Sequence, residues 1–131
     1  MLRVSSRLDD TTEGFITEII DCGFVVHRDI GPGYTESIYA NAMRVELAAR
    51  KIPYSCQTVY TVRYRDQPVG VHRLDLIVRE CVVVELKTVR SLEPIHRAQL
   101  MAYLKASKIK AGLLMNFAGA TFKEGVKRVI V

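Results

Sequence analysis

Arg73-Leu74-Asp75-Leu76-Ile77-Val78, a break at Arg79-Glu80, and Cys81-Val82-Val83-Val84-Glu85-Leu86-Lys87 form the stretch on which the fold turns. Two β-branched runs separated by two polar residues predict paired antiparallel strands. Side chains alternate along a strand, so Glu85 and Lys87 share one face while Val82, Val84 and Leu86 line the other, which must be core. The charges on Asp75, Glu85 and Lys87 need a reason in so apolar a hairpin, because a buried charge without a partner is very costly. A register that sets Asp75 beside Glu85 aims two carboxylates at one spot, with a lysine one step further along. A divalent cation between the carboxylates would relieve their repulsion. An acid–lysine pair at a sheet edge is the plainer account of the same residues, and the rest of the chain has to decide between them.

The chain has 131 residues, 49% of them hydrophobic and 25% charged, the balance of one soluble globular domain with a single core. No window approaches the roughly 18 uninterrupted apolar residues of a membrane span. Residues 1–7 lack the apolar centre of a signal peptide. A cytoplasmic protein with no membrane partner is therefore expected. Cys22, Cys56 and Cys81 fit no zinc or disulfide spacing and read as reduced thiols, Cys22 and Cys81 as small core residues. The net charge of +5 permits a polyanionic partner without demanding one.

Residues 1–11 are expected to be a flexible lead-in and residues 12–131 a single domain. Asp10 with Glu13 resembles a capping box. Phe15, Ile16, Ile19, Ile20, Gly23 and Val26 then recur at helical spacing. His27 shares a face with Ile16, Ile20 and Gly23, the setting of a hydrogen-bonded core histidine. Gly31-Pro32-Gly33 ends this helix. Thr35 is a candidate cap for a second helix running to about residue 50. Its apolar stripe is Tyr39, Ala40, Met43 and Leu47, and one turn before Ala40 lies Glu36. An acid thus opens the buried stripe. The helix macrodipole favours an acid in the first turn, but it does not explain alignment with the core face.

Ile52-Pro53 breaks the second helix, and residues 57–64 alternate as a half-buried strand should. Residues 65–70, with Asp66, Pro68 and Gly70, read as a turn. A third helix is expected from residues 91–94 to about 106, with Pro94 in its first turn. Gln99 and Tyr103 are four apart on it and adjoin Ile95 and Ala102 near the apolar side. Residues 110–117 form a nearly continuous apolar run, the pattern of a buried parallel strand, and residues 127–131 make a closing strand. The order α-α-β-β-β-α-β-β predicts an α/β fold, a mixed sheet flanked by helices.

That order, with Asp75, Glu85-x-Lys87 and a following helix bearing Gln99-x-x-x-Tyr103, resembles the PD-(D/E)xK nuclease superfamily, and the Gln-x-x-x-Tyr element resembles its RecB-type branch. Val26-His27, Gly31-Pro32-Gly33-Tyr34-Thr35-Glu36-Ser37, Val84-Glu85-Leu86-Lys87, Ala98-Gln99-Leu100 and Asn116-Phe117 look like the small bacterial GxxExxxR proteins, from about residue 12 to the end. Ala40 stands where that name expects arginine, and Leu74-Asp75 where the superfamily has Pro-Asp. The resemblance implies a nuclease-like fold with metal-site residues at Glu36, Asp75 and Glu85, and an added oxygen from the Leu86 backbone carbonyl. His27 is a weaker candidate ligand by the same likeness. Mg²⁺ (or Mn²⁺) suits such a set, since it prefers oxygen ligands and keeps waters. Lys87 would orient or deprotonate the attacking water or steady the phosphate, while Gln99 and Tyr103 would position water or the nucleic-acid backbone.

Two functions follow. One is a metal-dependent nuclease hydrolysing DNA, with Asp75, Glu85 and Lys87 catalytic. The other is a non-catalytic binding or scaffold protein that keeps the nuclease fold, in a regulatory role. A redox protein is disfavoured, because no glycine-rich phosphate loop follows a strand and the cysteines are not paired. So short a chain has no obvious second module for target recognition, which leaves room for a protein partner or a homodimer.

Overall fold

A computed structural model describes residues 8–131. Its elements are α1 (Asp10–Ile30), α2 (Glu36–Ala49), β1 (Tyr54–Tyr64), β2 (Gln67–Val78), β3 (Val82–Lys87), α3 (Pro94–Ser107), β4 (Ala111–Asn116) and β5 (Val126–Ile130), with a short 3₁₀ turn at Lys123–Gly125. The strands form one sheet in the order β1-β2-β3-β4-β5. All neighbours are antiparallel except β3 and β4, which run parallel and are joined by the α3 crossover. The predicted order and mixed sheet are present.

The sheet is covered on both faces. Ile16, Ile19, Cys22 and Val26 of α1 and Tyr39, Met43 and Leu47 of α2 pack with Val82, Val84, Leu86, Leu113 and Met115. Leu100, Tyr103 and Leu104 of α3 pack with Ile77, Val83, Leu114 and Val129 on the other side. A strand buried on both faces reads as a continuous apolar run, as residues 111–117 do. Gly23 lets α1 approach the sheet closely, because a Cβ there would collide with Met115 and Phe122. None of the three cysteines forms a disulfide; Cys22 is buried, and Cys56 and Cys81 are partly so.

Four local expectations are corrected. The first helix is capped by Asp9, whose carboxylate accepts from Thr12 N–H, so helix begins two residues inside the expected lead-in; residues 1–7 lie outside the described residues. Glu13 instead forms a bidentate pair with Arg128 of β5. The turn expected over residues 65–70 is only Arg65-Asp66, both with positive φ, and β2 has already begun at Gln67. Pro68 fits there because this part of β2 is paired on one side only and lies at a register shift beside Val62 and Arg63. On α3 the buried stripe is Leu100, Tyr103 and Leu104, while Ile95 is 68% exposed. Gln99 thus sits on the helix's open side.

The loop before α2 is tied down by one tyrosine. Tyr39 donates its hydroxyl proton to Gly31 O at 2.6 Å, accepts from Tyr34 N–H, and stacks on Phe117 at 4.6 Å. Gly31 and Gly33, at φ 72 and 107, supply the left-handed backbone that this loop requires. Glu36 is thereby fixed in the first turn of α2.

Candidate active site

The ladders on both sides of β2 are interrupted at Asp75. On one side, the β1–β2 pairing runs from Tyr54–Val78 to Tyr64–Gln67, with a register shift at Val62/Arg63, and omits the Gln57–Asp75 pair. On the other, the β2–β3 pairing runs from Val78–Val82 to Leu76–Val84 and stops before Asp75 would meet Glu85. Gln57 has φ 54, a left-handed conformation that is uncommon for a residue with a side chain. The alternation of faces slips here as well. Leu76 belongs to the core under α1 and α2, but Leu74, two residues away, belongs to the core under α3.

The two carboxylates take over the missing ladder bonds. Asp75 N–H donates to Glu85 Oε1 at 3.1 Å, and Leu86 N–H donates to Asp75 Oδ2 at 3.0 Å. The expected juxtaposition of Asp75 and Glu85 is therefore present, locked by backbone donors. Glu85 is 4% exposed. Burial, then the charge of Asp75 and more weakly that of Glu36, push its carboxyl up to about 8, against the pull of the Asp75 N–H bond and Lys87. Asp75 is also raised by burial, opposed by the Leu86 N–H, Lys87 and a hydrogen bond from Gln57. Glu36 is raised by burial and by Asp75.

Glu36 and Asp75 line a common cleft of about 370 Å³ with Ala40, Arg44, Cys56 and Gln57. Lys87 Nζ donates to Gln99 Oε1 at 2.9 Å, which joins the end of β3 to α3. The Tyr103 hydroxyl feels burial first and then the charges of Glu85, Asp75 and Glu36, which raise its pKa. Glu36, Asp75, Glu85, Lys87, Gln99 and Tyr103 are thus brought into one neighbourhood from four elements.

His27 is placed elsewhere. It is buried, its Nε2 lies 2.8 Å from Gly119 O, and its ring packs near Phe117 and Phe122, so it behaves as a satisfied core histidine. Sequence reasoning missed two residues here, Gln57 and His72, and gave a third, Asn116, no role. Gln57 braces Asp75, and only its left-handed φ, invisible in the sequence, sets it apart. His72 meets the edge of Tyr103 at 4.6 Å. Asn116 has no role that its sequence neighbours reveal; its side chain bonds both the N–H and C=O of Val89, pinning the chain just after Lys87.

Among the described residues, no three His, Cys, Asp or Glu side chains stand close enough to enclose an ion as they lie. One oxygen of Asp75 and one of Glu85 are engaged by backbone N–H groups. The chemistry of the set nevertheless fits a hard cation: burial raises the proton affinity of all three carboxylates, the charge of Asp75 raises that of Glu36 and Glu85 further, and oxygen is the only donor type.

A family model described as PD-(D/E)XK nuclease superfamily matches residues 13–129. The chain belongs to that superfamily. The three helices and five-stranded mixed sheet of the described residues are consistent with the superfamily fold, and membership supports a nuclease-type function. No curated protein and no solved structure matches the chain. Among the described residues, no helix is long and apolar enough to cross a membrane.

Proposed function

We propose that the chain is a metal-dependent nuclease hydrolysing phosphodiester bonds in DNA, of the GxxExxxR type and the RecB-like branch. The observation that carries this reading is the break at Asp75, whose charge raises the proton affinity of both Glu85 and Glu36, beside the Lys87–Gln99 pair. A sheet that only needed stability would not keep such a fault.

Glu36, Asp75 and Glu85 would hold Mg²⁺ or Mn²⁺. Leu86 N–H points toward Asp75, and a strand residue's N–H and C=O point the same way, so the Leu86 carbonyl suits a fourth oxygen. The bound ion would neutralise the acids and polarise a phosphate oxygen. Lys87 shares a strand face with Glu85 and is held by Gln99, which places its ammonium to orient a water or steady the charge that builds on the phosphate. Tyr103 and Gln99 would position the DNA backbone from α3. The bond between His27 and Gly119 favours a structural role over ligation.

The test is a titration with Mg²⁺ and Mn²⁺ using labelled single- and double-stranded DNA, with Glu85→Gln in parallel. Ion-dependent cleavage by the wild type that the variant lacks is the expected result. No cleavage of either substrate with either ion would replace this reading by the non-catalytic scaffold.

A further inference from the structure

The β1–β2 hairpin does not end where the sheet ends. β3 pairs with β2 only at residues 76–78, so β2 from Gln67 to the acid pair is matched by β1 alone. Of residues 61–71 all but Val62 are exposed. At about 3.3 Å per residue this ribbon reaches roughly 25 Å beyond Asp75. An isolated two-stranded ribbon is marginal in water, and only its base is supported, where Tyr60 and Leu74 pack with the α3 core and His72 meets Tyr103.

The arm's chemistry points to a polyanion. Arg63, Arg65 and Arg73 are exposed, and none of them forms a salt bridge among the described residues. Tyr64, 65% exposed, sits at the tip with the Arg65 guanidinium 5.8 Å from its ring centre. Asp66 is the one acid in this ribbon. A second copy adding a strand is a poorer occupant. The register shift at Val62/Arg63 twists the outer edge of β1, and Pro68 interrupts the edge of β2. A two-stranded ribbon fits the DNA major groove, and the roughly 25 Å reach covers about seven base pairs. At its base stand Gln57 and Asp75, so whatever the arm grips is led to the acids.

We propose that this arm is a second DNA-contacting element, which holds duplex to one side of the cleavage site through Arg63, Arg65 and Arg73. The inference rests on the nuclease reading, because it takes DNA as the substrate.

The experiment compares wild type with Arg63→Ala/Arg65→Ala/Arg73→Ala by anisotropy of a labelled duplex. Binding is measured without divalent metal at several KCl concentrations, since the arm stands away from the acids and needs no ion. Without three guanidinium groups to neutralise phosphates, the slope of log affinity against log salt should shrink by about 2–3, and affinity at low salt should fall about tenfold or more. Mn²⁺ binding by calorimetry and the far-UV spectrum should stay as in wild type. The corresponding triple Lys variant should keep most of the slope. A triple-Ala variant with wild-type affinity and slope overturns the arm while leaving the nuclease reading intact. A wild type that binds no duplex without metal overturns the arm, whereas the nuclease reading falls only if no DNA is cleaved with either ion. A wild-type dimer that the Ala variant dissociates, with DNA binding unchanged, assigns the arm to a second copy and overturns the proposal.

Discussion

β2 is two strands in one. Residues 76–78 are paired on both sides and buried under helices on both faces, while residues 67–73 are paired only with β1 and lie mostly in water. The residue types hardly differ: Val78 is 0% exposed, Val69 is 62% and Val71 is 56%. What separates them is the neighbour that topology supplies, since burial follows the sheet order and not the valine. Asp75 stands at the joint. Further in, its charge would be insupportable; further out, it would be an ordinary solvated acid. At the joint its proton affinity is raised, yet it still opens on a cleft.

If that division is real, function and stability should separate by position. The largest effect is expected from Lys87→Ala, which removes an ammonium beside the joint and almost no core. Cleavage should fall about 10³-fold, the scale of losing one positioned charge-stabilising group. Mn²⁺ affinity and duplex affinity at matched salt should be retained, because an ammonium has no lone pair for a metal and other basic residues serve ground-state binding. A variant that cleaves like wild type would remove Lys87 from the chemistry.

Next in size is a pair of truncations on the one strand. Leu76→Ala, in the inner half, should lower unfolding stability by about 2–5 kcal/mol. Val71→Ala, in the outer half, should change it by less than about 0.5 kcal/mol. Urea titrations of both would show it, and comparable losses would mean that the arm is folded into the core.

Much of the inner half was legible, because burial leaves a pattern in sequence. The stripe Tyr39, Met43 and Leu47, the unbroken apolar run of β4 and the paired runs around Arg79-Glu80 each reflect a face that must leave water. The joint was legible only in part. Asp75, Glu85 and Glu36 could be noticed as charges on apolar faces, but the broken ladder could not, since the alternation of residues 57–64 carries no sign of the left-handed φ at Gln57. In the outer half, Pro68 and Gly70 read as a turn because such residues usually are one. They misled because an unpartnered ribbon tolerates a missing N–H that a central strand would not. Ile95 misled in the same way: a helical stripe predicts a partner face, and the fold supplies none there.

A third prediction concerns the acids without metal. Glu85 is raised from the ordinary 4.5 to about 8, so its neutral form is the one the fold prefers. Stability from this group is present below pH 4.5, where folded and unfolded chains are both protonated, and is lost as pH rises toward 8. Asp75 and Glu36 shift in the same direction. The metal-free protein should be less stable at pH 8 than at pH 5, by on the order of 2 kcal/mol. Glu85→Gln should flatten the profile and abolish Mn²⁺ binding. Asp75→Asn should likewise abolish Mn²⁺ binding with the fold intact or stabilised. A flat wild-type profile, or unchanged Mn²⁺ affinity in both variants, would show that these carboxylates do not form a strained site.

The smallest expected effect is the most specific to the joint. Gln57 holds φ 54 opposite Asp75 and donates a hydrogen bond to it. Gln57→Gly removes the steric penalty of the left-handed backbone, about 1 kcal/mol, and also removes that bond. The bond matters most when Asp75 is charged, since it favours the carboxylate. At pH 5, where more of the acid cluster is protonated, the variant should equal or exceed wild type by up to about 1 kcal/mol in urea titrations without metal. At pH 8 the advantage should vanish or reverse, because a carboxylate that has lost a donor resists ionisation more strongly. A loss of equal size at both pH values would mean that Gln57 serves the ladder and not the acid, leaving Asp75 to hold its place through Leu86 alone.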